Sequence, residues 1–163
     1  MTFIGLIINK KDEMSLKKYL DSIIKEYKLQ INIIIISKNN IENVKNIKFN
    51  TIIIHENTLE EVQYREMLKK MMLQTKFLIL NSDTNSNLEL VNSLELTLIT
   101  YGLNSKATLT ASSLENNEVS ICIQREIINN ANVNIEPKEI CIRRKKSNIY
   151  GIMIGYLLYI LFS

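Results

Sequence analysis

The only histidine of the chain follows one of the buried strands that the sequence predicts. His55 comes directly after the β-branched run Thr51–Ile54, and strand ends of α/β sheets often carry functional groups. An imidazole there can act as a general base or a metal ligand. Catalytic triads and metal sites both need further residues, and no serine or cysteine nucleophile or second ligand is spaced around His55. A structural role at the strand end is the simpler interpretation, and a ligand contact is the alternative.

Polar residues also follow two other predicted strands. Asn81 and Asp83 come after the apolar run Phe77–Leu80, and Tyr101 comes after Leu96–Thr100. A carboxylate at the carboxyl end of a strand lies where α/β folds bind ligands. Asparagine and aspartate side chains also cap turns. We therefore predict ligand contacts at these strand ends, with turn capping as the alternative.

Unbroken apolar runs predict a parallel sheet. Runs without alternation of apolar and polar residues are typical of strands buried on both faces. Three such runs are Phe3–Ile8, Ile31–Ile36 and Thr51–Ile54. Two later segments, Ala107–Ser113 and Val119–Arg125, alternate instead and predict an antiparallel hairpin with its turn at Asn116–Asn117.

Helices must cover both faces of such a sheet. Apolar residues at helical spacing follow the first strand, and a second helix is predicted from about Thr58 to Met72. Thr58 and Glu61 match a capping box there, and Val62 and Leu68 belong to an apolar stripe. The predicted fold is α/β: a mostly parallel Rossmann-like sheet with helices on both faces and an antiparallel hairpin extension. A length of 163 residues predicts a single domain, 1–163.

The nearly all-apolar segment 149–162 predicts a C-terminal helix. The basic run Arg143–Lys146 and the spacing of Gly151 and Gly155 are also features of membrane helices. At 1.5 Å per residue the segment spans about 21 Å, against about 30 Å for the core of a bilayer. We therefore expect this helix to pack on the sheet or on a partner chain, with a tail anchor as the alternative.

Composition excludes several functional classes. The 20 basic and 17 acidic residues are mixed along the chain and give a formal net charge of +3, unlike the clustered basic surface of a nucleic-acid-binding protein. The chain start is typical of a strand rather than a secretory signal, and there are only two cysteines, Cys122 and Cys141. These features predict a cytoplasmic protein. No cofactor or metal is expected.

Several motifs resemble the middle domain of the Mur ligases, which join an amino acid to a carboxylate through an acyl phosphate made from ATP. Leu80–Asp83 resembles the family's Asn-Ala-Asp-Asp element, and Ile99–Gly102 resembles its strand ending in Thr-Tyr/Phe-Gly. Asn148 matches the asparagine of the family's His-Asn motif, in which Ser147 replaces the histidine. The resemblance implies a bacterial protein with this type of sheet.

The residues for ATP chemistry are absent from their places in the family pattern. The first strand of a Mur ligase enters a Gly-Thr-Asn-Gly-Lys-Thr type loop that wraps phosphate. The corresponding stretch here, Ile4–Asp12, keeps only Gly5 of the glycines, although Lys10 and Lys11 offer positive charge. The histidine of the family's magnesium site is also missing. ATP hydrolysis is therefore not expected.

Together these features predict a non-catalytic Mur-ligase-like protein that acts as an interaction or ligand-binding module. The predicted ligand contacts are His55, Asn81, Asp83, Tyr101 and Asn148. A protein partner or a second copy is expected to bind through the C-terminal helix, and nucleic acid is not. One alternative is a component of an ATP-dependent amide ligase of cell-wall peptide synthesis, and another is a tail-anchored membrane protein.

Overall fold

The computed structural model describes residues 1–92, 94–115, 117–143 and 147–163. It confirms the α/β fold class, with a mostly parallel Rossmann-like sheet of eight strands and a separate two-stranded antiparallel sheet. The helices are α1 (Lys10–Glu26), α2 (Ile41–Val44), α3 (Val62–Met72), α4 (Asn85–Val91) and α5 (Ile149–Phe162). The strands are β1 (Thr2–Ile7), β2 (Ile31–Ile35), β3 (Thr51–Ile54), β4 (Phe77–Asn81), β5 (Leu98–Tyr101), β6 (Leu109–Glu115), β7 (Glu118–Ile123), β8 (Ile127–Ile128), β9 (Asn134–Ile135) and β10 (Lys138–Arg143).

The described chain divides into two compact units, and the first contains Met1–Glu13 and Ile31–Leu98. Four strands of this first unit pair in parallel in the order β2-β1-β3-β4. The chain therefore runs from β1 to β2 on one side and returns to β3 on the other side of β1. Open α/β sheets bind ligands at such a reversal, outside the carboxyl ends of the strands. The single domain stays a prediction.

Both faces of the central strands are buried. Ile52 and Ile54 of β3 belong to a core cluster that includes Leu68 of α3 and Leu90 of α4. Ile53 lies between them, points to the opposite face and is also fully buried. Because neither face meets water, every position of β3 favours an apolar or small residue, and the sequence shows no alternation.

The start of α3 differs from the prediction. The helix begins at Val62 rather than Thr58, and Glu61 is its N-cap residue without a side-chain capping bond. The predicted capping box is therefore wrong, and Val62 is 77% exposed rather than part of the apolar stripe. The reason lies in two contacts before the helix. Leu59 is buried in the core cluster, and the Glu61 carboxylate accepts a hydrogen bond from Nζ of Lys38 at 2.7 Å.

The second unit contains Met14–Gln30 and Ile99–Ser163. β6 pairs in parallel with β5 and antiparallel with β7, and β10 continues the sheet antiparallel to β7. This arrangement confirms the predicted hairpin extension. The predicted turn at Asn116–Asn117 includes position 116, which lies outside the described residues.

α5 is buried along most of its length. Asn148 caps its N-terminus by accepting a hydrogen bond from the N–H of Gly151 at 2.8 Å. The helix passes close to α1 at Gly155, where a Cβ atom would lie 3.1 Å from a ring carbon of Tyr19. A helix that is apolar on all sides is typical of such a buried position. Of the basic run before it, positions 144–146 lie outside the described residues.

Among the helices that the structure describes, none combines the length and the apolar character needed to cross a membrane.

Candidate functional site

Three of the five predicted ligand contacts lie at one edge of the first unit. We name it the carboxyl edge; it consists of the last residues of β1, β2, β3 and β4 and the residues that follow each strand. His55 follows β3, Asn81 is the last residue of β4, and Asp83 lies two residues further on. The buried side chain of Asn81 accepts a hydrogen bond from the N–H of Asp83 at 3.1 Å. Asn81 therefore caps this turn, while Asp83 itself is exposed.

Asn87 of α4 connects the ends of β3 and β4. Its fully buried side chain donates hydrogen bonds to the carbonyl oxygens of His55 and Asn81 at 3.2 and 3.1 Å. Its amide oxygen accepts a hydrogen bond from the N–H of Asn57 at 3.0 Å. The buried Asn57 in turn accepts one from the N–H of Leu59 at 3.0 Å. This asparagine network holds the loop after β3 against the loop after β4.

Neither Asn87 nor Asn57 stands out in the sequence as a site residue. Asparagine is abundant along the whole chain, so residue type alone does not separate these buried positions from exposed ones. The usable signal is position, since Asn57 follows a buried strand closely, as Asn81 ends one.

The connection from β1 to α1 consists of Ile8 and Asn9. The side-chain oxygen of Asn9 accepts a hydrogen bond from the N–H of Asp12 at 2.9 Å, which is the geometry of a helix N-cap. Its amide nitrogen donates to the carboxylates of Asp12, at 2.9 Å, and Glu56. The Asn9 side chain and the two carboxylates thus occupy the N-terminus of α1, where a phosphate-binding helix presents free N–H groups.

His55 is partly buried, and its imidazole interacts electrostatically with the carboxylates of Asp12 and Glu56. Burial lowers the pKa of His55 from its ordinary value of 6.5 and outweighs Asp12 and Glu56, whose negative charges raise it. The imidazole is therefore neutral at pH 7. A neutral imidazole retains one hydrogen-bond donor and one acceptor nitrogen, so it suits a polar contact at this edge.

We expect His55 to make the folded protein less stable as the pH falls below 6.5. Its pKa is lowered in the folded state, so the unfolded chain takes up a proton at a pH where the folded chain does not. The contribution of neutral His55 is complete above the unfolded-state pKa and declines as the pH falls toward the folded-state pKa. The chain has one histidine, so an NMR titration of the imidazole protons reports its pKa directly.

Urea unfolding of the wild type and His55→Gln isolates this contribution, because the carboxylates common to both proteins largely cancel in the difference. Between about pH 5 and about pH 7.5, where histidine titrates, the stability of the wild type relative to the variant should rise with pH. An imidazole pKa at or above the ordinary value would contradict the prediction.

Two clefts open at the carboxyl edge. The wider one, about 470 Å³, follows β1 and β2 and is lined in part by Lys10 and Lys38. The narrower one, about 290 Å³, lies between α3 and α4 and includes Asn57 and Arg65. Pockets for small molecules in proteins usually measure about 300–1,000 Å³. Both clefts are therefore of a size that suits a small ligand.

The other two predicted contacts, Tyr101 and Asn148, lie in the second unit. Tyr101 ends β5, is fully buried, and has its ring centroid 6.4 Å from that of Tyr150. Asn148 is the N-cap of α5. Both residues make structural contacts in this unit, and a ligand contact for either stays a prediction.

The cysteines are free and do not face each other. The register of β7 and β10 places Cys122 opposite Glu139 and Cys141 opposite Ser120, so the thiols are diagonal neighbours. The Cys141 thiol donates a hydrogen bond to the carboxylate of Glu118 at 3.3 Å. Across the described part of the chain, no three histidine, cysteine or acidic side chains are grouped to hold a metal ion.

Comparison with known proteins assigns no family to this geometry. The chain matches no protein-family model and no curated protein. The resemblance to the Mur ligases rests on the motifs of the sequence.

Proposed function

We propose that this chain is a non-catalytic, cytoplasmic relative of the Mur ligase middle domain that acts as a ligand-binding or interaction module. The observation that carries the proposal is the two-residue connection between β1 and α1. A nucleotide-binding loop wraps phosphate with several backbone N–H groups and adds a lysine. Here the side-chain oxygen of Asn9 accepts a hydrogen bond from the N–H of Asp12. The nearby carboxylates of Asp12 and Glu56 would repel a bound anion. This arrangement supports the loss of ATP chemistry.

Gly5, the one glycine retained from the family's loop pattern, supports the same proposal. It lies inside β1, where a Cβ atom would be 2.5 Å from Cδ1 of Ile36. Ile36 is fully buried, so a side chain at position 5 requires the Cδ1 group of Ile36 to shift. Gly5 therefore allows close packing of the sheet and is not part of a phosphate loop.

The carboxyl edge supports a binding role. The strand order reverses at β1, and ligands of open α/β sheets bind at such a reversal. The exposed Asp83 and both clefts lie at this edge, and the buried network around Asn87 holds it in place. α5 offers less surface to a protein partner or a second copy, since Tyr159, its most exposed apolar residue, is 37% exposed. We therefore favour the carboxyl edge over α5 as the interacting surface.

We expect millimolar Mg-ATP to leave the melting temperature of the full chain unchanged. A ligand at 100 times its dissociation constant adds about 2.7 kcal/mol of stability, so a thermal unfolding assay detects binding in the micromolar range. A clear rise in melting temperature would contradict the proposal. It would favour the alternative, a ligase component that takes its missing parts from a partner.

A double variant, Lys10→Ala with Lys11→Ala, tests whether any such rise is specific. Lys10 lines the wider cleft at the start of α1. The matched control replaces two exposed lysines further along α1, Lys18 and Lys25. A rise that disappears only in the first variant would locate nucleotide at the start of α1.

A further inference from the structure

The cleft between α3 and α4 is lined by charges of both signs. Its volume is about 290 Å³, and its walls include Arg65 and Lys69 from α3 and Ser86 and Glu89 from α4. Residues three or four positions apart lie on the same face of a helix, so each pair projects from one side into the cleft. The α3 side contributes two cations, and the α4 side contributes a carboxylate and a hydroxyl group. Glu60, which precedes α3, adds a second carboxylate to the lining. Leu90, which is buried, also lines the cleft.

These opposite charges do not neutralise each other across the cleft. Within the described part of the chain, neither Arg65 nor Glu89 forms an ion pair. Lys69 pairs with Glu66 of its own helix, at a distance of 3.5 Å. The two walls are therefore charged and separated by more than ion-pair distance. A molecule that carries one charge at each end can complement both walls at once.

We propose that this cleft binds a small zwitterion whose carboxylate and ammonium groups are separated by a short apolar stem. The carboxylate contacts Arg65 and Lys69, because guanidinium groups bind carboxylates through two parallel hydrogen bonds. The ammonium group contacts Glu89, and the stem packs against Leu90. This inference supplies the ligand class for the binding role proposed above and rests on it.

An NMR titration of the full ¹⁵N-labelled chain with 6-aminohexanoate tests the inference. We expect saturable shifts of backbone signals centred on Arg65, Ser86 and Glu89. Hexanoate and hexylammonium have the same stem but one charge each, and each should bind at least about tenfold more weakly because it loses a charge-assisted contact. Equal affinity for all three probes, or no saturable shift up to about 10 mM, ten times a millimolar dissociation constant, would overturn the inference.

Variants of two exposed residues test which side of the cleft binds each charged group of the ligand. Arg65→Gln should reduce the preference for 6-aminohexanoate over hexylammonium, with Lys69 still present, and Glu89→Gln should reduce the preference over hexanoate. Lys70→Gln is the control, because Lys70 is exposed on α3 and does not line the cleft. If both cleft variants bind 6-aminohexanoate as the wild type does, the inference fails.

The NMR titration and the Mg-ATP assay test different claims, so their outcomes can be told apart. A protein that ignores Mg-ATP and also fails to bind 6-aminohexanoate overturns the zwitterion site and leaves the non-catalytic function standing. A protein that binds Mg-ATP overturns the proposed function, and the inference that rests on it falls as well.

Discussion

Replacing Asn87 by alanine should lower the free energy of unfolding by about 3 kcal/mol or more, since each buried polar group that loses its partner costs about 1–3 kcal/mol. The substitution removes hydrogen bonds from three backbone groups. They are the carbonyl oxygens of His55 and Asn81 and the N–H of Asn57. Urea unfolding measures the change as a shift of the midpoint at constant slope.

Asn85→Ala is the matched control for this variant. Asn85 lies on the same helix but is exposed, and surface substitutions usually change stability by less than about 0.5 kcal/mol. If Asn87→Ala costs less than about 1 kcal/mol, the lower limit for one orphaned group, the network does not hold the carboxyl edge together.

Leu157→Ala in α5 should lower the free energy of unfolding by about 2–5 kcal/mol, the usual cost of deleting a buried leucine side chain. Leu157 is fully buried, and its helix contacts β6 of the same unit. Truncation to alanine leaves a cavity that the packed neighbours only partly fill. The measurement is again urea unfolding of the full chain.

Leu73→Ala makes the same chemical change at a position that is 56% exposed, and it should have little effect. Equal and small losses for the two variants would mean that α5 does not pack against the protein in solution. The tail-anchor alternative would then regain support. A large loss for Leu157→Ala alone fits a helix that belongs to the core.

Those parts of the fold that depend on local pattern were predictable from the sequence. Thr51–Ile54 has the same bounds as the observed β3, because a strand buried on both faces favours an unbroken run of apolar or small residues. β7 alternates buried and less buried residues, as its sequence alternates. The positions of His55, Asn81 and Asp83 at the carboxyl edge follow from the strand ends alone.

The partners of the site residues were not predictable, because they lie far away in the sequence. The Glu61 carboxylate accepts a hydrogen bond from Lys38, 23 residues away, and does not form the capping box that the local pattern indicates. Asn87 bonds to the carbonyl oxygen of His55, 32 residues away. Contacts of this kind depend on which elements pack together, and a local pattern of residue types does not contain that information.

The short connection between β1 and α1 has an evolutionary consequence. A phosphate loop of the G-x-x-x-x-G-K-[ST] type needs about eight residues, whereas only Ile8 and Asn9 separate this strand from its helix. No single amino-acid replacement supplies the missing backbone. Point mutations alone therefore cannot build a phosphate loop of this type after β1, whereas a change in the length of the chain at this place could.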